Sequence, residues 1–383
     1  MNPVRVSQNQ ADHAQLLYFT STSLLQDDKR LITIGSQGDH PNLFLVEMEN
    51  GEVNQLTHNS EGHLKSYVYF DGAPYRGFGK ASVSLDAVNG VVYYIQGRQI
   101  RAVDMAGNER VVAEYPHGQM TAFTHVSADG RYLCVPTTDA RALDGDRLLA
   151  DRPAYNIDQR VQEEKLSSYL RVYDTASGAE VLCEEVPRSW ITHVQFSPLD
   201  HNLILYNHEW PGDCGIRRIW LWDGSQHIRL RTEGGGRRRD DWTCHEMWER
   251  DGQCIIYHGG YANGPMYLGR VRPDGSERVE ISFPPGWKQY GHFTVGRPGM
   301  LVSDGYYREA DDRQAGSGVW ITLQRVDWEA GEIEWIPICR HGSSWDSQDS
   351  HPHPIYDHAG DAVYFTSDFQ GRRAVYKVDV GQI

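Results

Sequence analysis

The chain reads as an all-β protein, a seven-bladed β-propeller running as one domain over residues 1–383, and three observations predict this. Gly (38), Tyr (21) and Trp (11) are abundant, and short β-branched and aromatic runs alternate with Asp-Gly, Asn-Gly and Ser-Gly turns, while helical periodicity is scarce. One pattern recurs seven times: an apolar residue, often followed by Ser, then Asp or Asp-Gly, a β-run, a turn and a second β-run. Each unit, roughly 35–65 residues with about four short strands, is too small to bury both faces alone, and radial stacking removes that problem.

The units follow one another directly. The first spans about 18–57, with strands at 31–34 and 43–47 and a third before Leu56. The second spans about 81–116, with strands at 91–95, 99–103 and 111–113. The third, about 122–187, has strands at 132–136, 169–173 and 180–184. It carries a charged insertion at about 139–168 that lacks β alternation and reads as a loop or short helix on one face of the ring. Units four to six span about 191–232, 244–282 and 292–339. The seventh, about 351–380, is one strand short; residues 4–7 or 15–19 are the candidates to supply it and close the ring.

Composition narrows the function. A formal net charge of −15 disfavours nucleic acid as a partner. No apolar run approaches a membrane span, and residues 1–6 show no secretory apolar core. The six cysteines are scattered without a C-x-x-C pair, which fits reduced thiols and a cytoplasmic location.

Aligning the innermost strands on the apolar residue before their turn (Leu24, Val83, Val126, Phe196, Trp248, Val295, Tyr356) exposes a second pattern. Three positions earlier stand Ser21, Lys80, Phe123, His193, His245, His292 and His353. Innermost strands line a propeller's channel, so these residues should ring one mouth. A role required of every repeat predicts histidine in every unit; here it occupies four neighbours, which fits a one-sided site. His351 stands two before His353, and side chains at i and i+2 of an extended chain share a face. Gln348 can reach the same point from the preceding loop. Positive charge near the mouth would come from Lys80, from Arg217 and Arg218 at the start of a strand in unit four, and from the 237–239 arginine run. His208 and Glu209 form a further polar pair.

Imidazoles plus an amide oxygen suit a borderline or moderately hard divalent ion. His292, Gln348, His351 and His353 would give three nitrogens and one oxygen, with positions open for a substrate. Mn²⁺ is compatible with that set, and zinc, iron or nickel remain open; a closed structural zinc site would use thiolates. His245 would then be free to act as a base. A metal, a free histidine and an arginine are the parts needed to remove a proton α to a carboxylate, which on a uronic acid labilises the C4 substituent.

The same residues resemble the oligogalacturonate lyase family. The stretches that carry the resemblance are His341-Gly342-Ser343-Ser344-Trp345-Asp346, then Gln348, His351, His353 and Pro354, then Val363-Tyr364-Phe365-Thr366-Ser367-Asp368, together with Thr243-Cys244-His245-Glu246-Met247-Trp248, Asn207-His208-Glu209-Trp210-Pro211 and Arg217-Arg218-Ile219-Trp220. The resemblance implies a seven-bladed propeller that cleaves short pectin-derived oligogalacturonides in the cytoplasm by β-elimination, giving a 4,5-unsaturated uronate or its open-chain keto form, 5-keto-4-deoxyuronate. It implies Mn²⁺ held by His292, Gln348, His351 and His353, His245 as Brønsted base and Arg218 as the carboxylate-neutralising residue. His193, His208, Lys80 and Arg217 are the expected substrate contacts. Cys244 interrupts the family's pattern before His245, the arginine is doubled, and the 139–168 insertion has no place in it, so another uronate-containing oligosaccharide stays open as substrate. Two other classes also stay open: a non-catalytic binding propeller, and a metal-dependent hydrolase or lactonase using Glu209 or Glu246.

Overall fold

The computed structural model describes residues 1–7, 13–37, 40–62, 69–70, 82–142, 157–209, 218–232, 241–285, 291–305 and 319–383. Its strands form seven antiparallel sheets arranged as a seven-bladed β-propeller. Lys80, Arg217 and the 237–239 run lie outside the described residues.

Blade two shows the plan: Ser84–Asp86, Val91–Gln96, Gln99–Asp104 and Glu109–Glu114 pair in chain order from the channel outward. Its innermost strand is wholly buried and its outermost largely exposed, as expected when neighbouring sheets cover the inner strands on both faces. The core is divided accordingly. Seven apolar clusters each join residues of two adjacent sheets, for example Ile32, Leu45, Leu85 and Tyr94 between blades one and two, or Val302, Ile338, Phe365 and Tyr376 between six and seven. Seven interfaces for seven sheets make the ring closed.

The missing strand of blade seven is Val4–Arg5, which pairs with Tyr376 and Lys377 outside Ala374–Asp379. Of the two candidate segments, the second goes elsewhere. His13–Gln15 pairs with Ile34–Ser36 in blade one, where Leu24 bridges Leu31 at the other end of the same strand. Between them the chain crosses the channel, held by hydrogen bonds from Leu16 N to Thr366 Oγ1 (3.0 Å), Leu17 N to Ser23 Oγ (2.9 Å) and Ser21 N to Tyr18 O (2.9 Å).

Blade three is the irregular one. Gln119–Thr121 and Tyr69–Phe70 extend it beyond its inner strand, and the insertion begins with a 3-10 turn, Ala140–Ala142, and ends with a helix, Ile157–Glu163. Ala142, Ile157, Val161 and Leu166 pack against Met120 and Trp190. Trp190 lies just upstream of His193, so the insertion is anchored on the same side of the ring as the histidines. Tight turns at the far end need glycine: at Gly130, φ +73°, a Cβ would stand 1.9 Å from Asp86 Oδ2 of the neighbouring blade.

Candidate active site

His193 and His292 each directly precede an innermost strand, Val194–Phe196 and Phe293–Val295. The other two ring histidines depart from that simple placement. His245 lies inside a longer strand, Asp241–Trp248, at a β-bulge where the ladder shifts between Cys244 and Glu246, and its φ is +46°. Cys244 keeps a ladder partner in His258 and Glu246 one in Tyr257, so the extra residue of the bulge is His245 itself, and a bulge re-aims the side chain it carries. His353 has φ +45° and follows a 3-10 turn, Gln348–Ser350. His351 and His353 therefore converge through a turn and a left-handed residue, not along an extended chain. Left-handed backbone at two non-glycine residues costs roughly 1–3 kcal/mol each and persists only where the surroundings hold it.

Three imidazoles meet. One ring nitrogen from each of His292, His351 and His353 lies within 4.8 Å of the others. His292 and His353 are buried, with ring centroids 4.0 Å apart, and His351 is half-buried beneath Trp345, 4.2 Å between centroids. Gln348 Oε1 is buried without a hydrogen-bond partner among the described residues, as an oxygen kept for an ion would be. Asp304, fully buried, accepts from His292 N (2.7 Å), from His292 Nδ1 (3.1 Å) and from His353 N (3.1 Å). Burial would raise its carboxyl, but the charge and hydrogen bonds of His292 hold it below the usual carboxylate range. A carboxylate on Nδ1 fixes the tautomer of His292 and leaves Nε2 as the ligand atom, the arrangement seen in outer shells of metal sites. The donors present fit a divalent ion with nitrogen and oxygen preference.

His245 stands beside this cluster, its ring centroid 4.7 Å from that of His292. Its Nδ1 is 3.0 Å from Nε2 of His258, with the two rings nearly parallel. Burial, then His292, His258, Arg218 and His193, push its pKa well below the usual imidazole value, so it is neutral near pH 7. Cys244, His245 and His258 could also be taken for a metal set. However, burial pushes the Cys244 thiol up to about 11, and the Arg218 guanidinium lies 3.6 Å from its sulfur, so neither thiolate nor cation is favoured there.

Arg218 does not open a strand; it lies just before Trp220–Trp222, ahead of Ile219 at φ +65°. It is buried between two carboxylates, with Nε 3.1 Å from Glu246 Oε2 and Nη1 3.6 Å from Glu209 Oε1. Nη2 donates to His193 Nδ1 at 3.1 Å. Arg218, foremost of the groups opposing burial, pulls Glu209 down to about 2. Among the described residues, Nη1 has only the 3.6 Å contacts to Glu209 and Cys244, the longest that the guanidinium makes.

His193 corrects one expectation. Its Nδ1 faces the N–H donors of Arg218 and Asn207 (3.0 Å), so it accepts, and Nε2–H donates to Tyr18 Oη at 3.1 Å. Both nitrogens are engaged within the protein; His193 supports Arg218 and Tyr18 and presents neither nitrogen to the mouth. His208 is buried against Trp220 and Tyr206, and neither of its nitrogens has a hydrogen-bond partner among the described residues. No described contact joins it to the histidine cluster.

Sequence reasoning missed four groups. Tyr18 and Phe19 floor the site: Tyr18 lies 5.0 Å from His353 and Phe19 5.0 Å from His292, centroid to centroid. On its other side Phe19 lines a cavity of about 560 Å³ that opens toward the opposite mouth, with Asp86, His125, Arg250 and His358. Asp304 and His258 were findable. Each stands where its blade's second strand runs beside the inner-strand histidine: His258 pairs with Cys244, and Asp304, just past Met300–Ser303, bonds through its N–H to the His292 carbonyl.

A closed ring of seven blades with a three-imidazole centre at one mouth, an adjoining neutral histidine and a buried arginine defines a β-propeller with a metal-type site. Residues 10–383 match the family model described as oligogalacturonate lyase, and the chain belongs to that family. It is 28% identical over 225 residues to the oligogalacturonide lyase of Pectobacterium atrosepticum, covering 55% of each chain, and 27% identical over 207 residues to the oligogalacturonate lyase of Dickeya dadantii, covering 50% of each. The chain thus spans about half the length of the curated relatives it matches. Among solved structures it resembles an oligogalacturonate lyase in complex with manganese (TM-score 0.77, 19% identity, 99% of this chain and 96% of the other) and one from Vibrio parahaemolyticus (TM-score 0.75, 20% identity, 99% and 96%). These likenesses establish the fold.

Proposed function

We propose that the protein is a metal-dependent lyase of short oligogalacturonides, acting by β-elimination. The observation that carries this is the convergence of His292, His351 and His353 on one point beside a fourth imidazole, His245. His292, His351, His353 and Gln348 would hold the ion. Mn²⁺ is the choice favoured by the nitrogen–oxygen donor set and by the manganese complex of a structural relative. When bound, the ion supplies Lewis-acid neutralisation of the substrate carboxylate.

The chain's own residues do the remainder. Arg218, fixed by Glu209 and Glu246, turns Nη1 to the uronate carboxylate. Nε2 of His245 takes the proton α to that carboxylate, worth ~10²–10⁴-fold in rate. The C5–H electron pair forms the C4–C5 double bond as the C4–O bond breaks; the leaving oxygen takes the C4–O pair and a proton from water. The product is the 4,5-unsaturated uronate, which opens to 5-keto-4-deoxyuronate. Substrate contacts are assigned to Lys80 and Arg217 and to His208, which would have to turn out from between Trp220 and Tyr206 to offer a ring nitrogen; His193 contributes through Arg218. The whole chain is taken as one domain interrupted at about 139–168, and a cytoplasmic location is inferred from the scattered cysteines, the five described ones being free. No helix among the described residues is long and apolar enough to cross a membrane.

The test combines metal analysis with ultraviolet absorbance near the enoate band on di- and trigalacturonate. Turnover should require metal. His245→Ala should lose turnover and keep its metal, whereas His353→Ala should lose both. Equal inertness of chelated and Mn²⁺-loaded protein on a panel of uronate oligomers would refute the lyase reading.

A further inference from the structure

The residues opposite the ring histidines repeat a role. In blade four, Asn207 lies opposite His193, donates Nδ2–H to His193 Nδ1 (3.0 Å) and accepts from His193 N (2.8 Å). In blade six, Asp304, one residue past the second strand, donates N–H to the His292 carbonyl (3.2 Å) and binds its Nδ1 and its N. In blade five the same place on the second strand belongs to His258, paired with Cys244 across the bulge, and it too binds Nδ1 of its blade's ring histidine. Three consecutive blades thus use a second-strand side chain to set an inner-strand imidazole.

From this geometry we infer that His258 is a positioning residue that selects the tautomer of His245; the inference rests on the proposed role of His245 as base. A neutral imidazole carries one proton, and the hydrogen bond at one nitrogen decides where it sits. If Nδ1–H of His245 donates to Nε2 of His258, Nε2 of His245 keeps its lone pair. If the bond ran the other way, Nε2 would carry the proton and could take none. His258 must therefore hold its own proton on Nδ1. His258 is buried (1% exposed) and its ring lies 10° from parallel with that of His245, so the pair is held in one orientation. When His245 accepts the substrate proton at Nε2, its Nδ1–H remains bonded to His258; no bond to carbon changes at His258 and no co-reactant is needed. The bulge makes this partner necessary. His245 has no ladder partner of its own and a left-handed backbone, so its side chain takes its direction from the hydrogen bond and from packing against His292 and Phe19.

The test uses ¹⁵N-histidine-labelled, metal-free protein, in which long-range proton–nitrogen spectra report each ring's tautomer, beside steady-state kinetics and metal stoichiometry of His258→Leu and His258→Gln. Wild-type His245 should show a protonated Nδ1. His258→Leu should lose that signature and ~10²-fold in kcat, the scale of a misplaced general base, with KM and one bound metal per chain unchanged. His258→Gln, whose amide oxygen can accept from Nδ1–H, should restore the tautomer and most of kcat. A wild-type His245 protonated at Nε2, a leucine variant with wild-type kcat, or a second metal equivalent that depends on His258 would each overturn the inference. The spectra keep it falsifiable should the leucine variant fold poorly. Activity retained in His245→Ala would instead refute the base assignment, while the tautomer readout would still report on the pair.

Discussion

Replacing Asp304 with Asn separates the ion site from the fold that supports it. The carboxylate accepts three N–H groups with two oxygens: His292 N on Oδ1, His292 Nδ1 and His353 N on Oδ2. An amide keeps one oxygen, which the 2.7 Å bond to His292 N would claim. The amide nitrogen then points at two donors. Hydrogen bonds to a charged group are worth ~1.5–3 kcal/mol each, so leaving both unmade would be costly, and the cheaper response is for His292 to shift its proton to Nε2 and accept at Nδ1. That places a proton where the ion must bind. Changes of this kind in the groups behind a ligand typically cost 10–100-fold in metal affinity, or ~1.4–2.7 kcal/mol. Calorimetric titration of Mn²⁺ into chelator-stripped protein measures this directly, with thermal melting run in parallel on metal-free samples. A folded Asp304→Asn protein that binds Mn²⁺ within threefold of wild type would refute the claim that this carboxylate orients the ligand.

Other outcomes follow from features away from the ion site. His125 accepts from Phe196 N (3.2 Å) and donates to the Thr20 carbonyl, and burial, only partly offset by that second bond, holds it at about 4 against an ordinary value near 6.5. The unfolded chain therefore binds the extra proton first: stability is complete above pH 6.5 and declines as pH falls toward 4, by up to ~1.4 kcal/mol per unit. Denaturant titrations across that range should give a shallower pH slope for His125→Leu than for wild type, and equal slopes would contradict it. Removing residues 1–7 deletes the outer strand of blade seven and the 3.1 Å bond from Val375 N to the buried Ser7 Oγ; the melting temperature should fall while Mn²⁺ affinity stays within about threefold, because the ion ligands are untouched. Gly259→Ala would set a Cβ 2.1 Å from the Trp242 carbonyl oxygen, so blade five should be destabilised, read as a lower denaturant midpoint; an unchanged midpoint would refute the clash.

The blades and the ring of histidines were legible because strand alternation and turn residues are local properties that recur with the repeat. Aligning inner strands was enough to bring His193, His245, His292 and His353 to one mouth. It was not enough to show how each is aimed. Aim depends on the neighbouring strand, and that comparison would have needed the second strands in register, where Asn207, His258 and Asp304 stand. The bulge at His245 and the left-handed backbone at His353 belong to no local preference of those residues; packing imposes them. Tyr18 and Phe19 were invisible for another reason: they have no counterpart in the other blades, so a repeat alignment passes over them. The charge around Arg218 was also misjudged from sequence, since Glu209 and Glu246 read there as rival catalytic carboxylates and in the fold act as its counter-ions.

The chain's first twenty residues finish a ring whose other half is made last. Val6 N bonds to Val375 O, Ala14 N to Arg373 O and Leu16 N to Thr366 Oγ1, spans of some 350 residues or more. During synthesis residues 13–15 can pair at once within blade one, but Val4–Arg5 and the bonds from Val6, Ala14 and Leu16 have no partner until blade seven leaves the ribosome, so the floor beneath the histidines is locked in place only after nearly every blade exists. Contacts this distant in sequence form slowly, since the chain must close a long loop before they repay it. The molecule should thus pass through a stage with most sheets formed and no working centre. Metal uptake and activity should trail behind secondary structure during refolding.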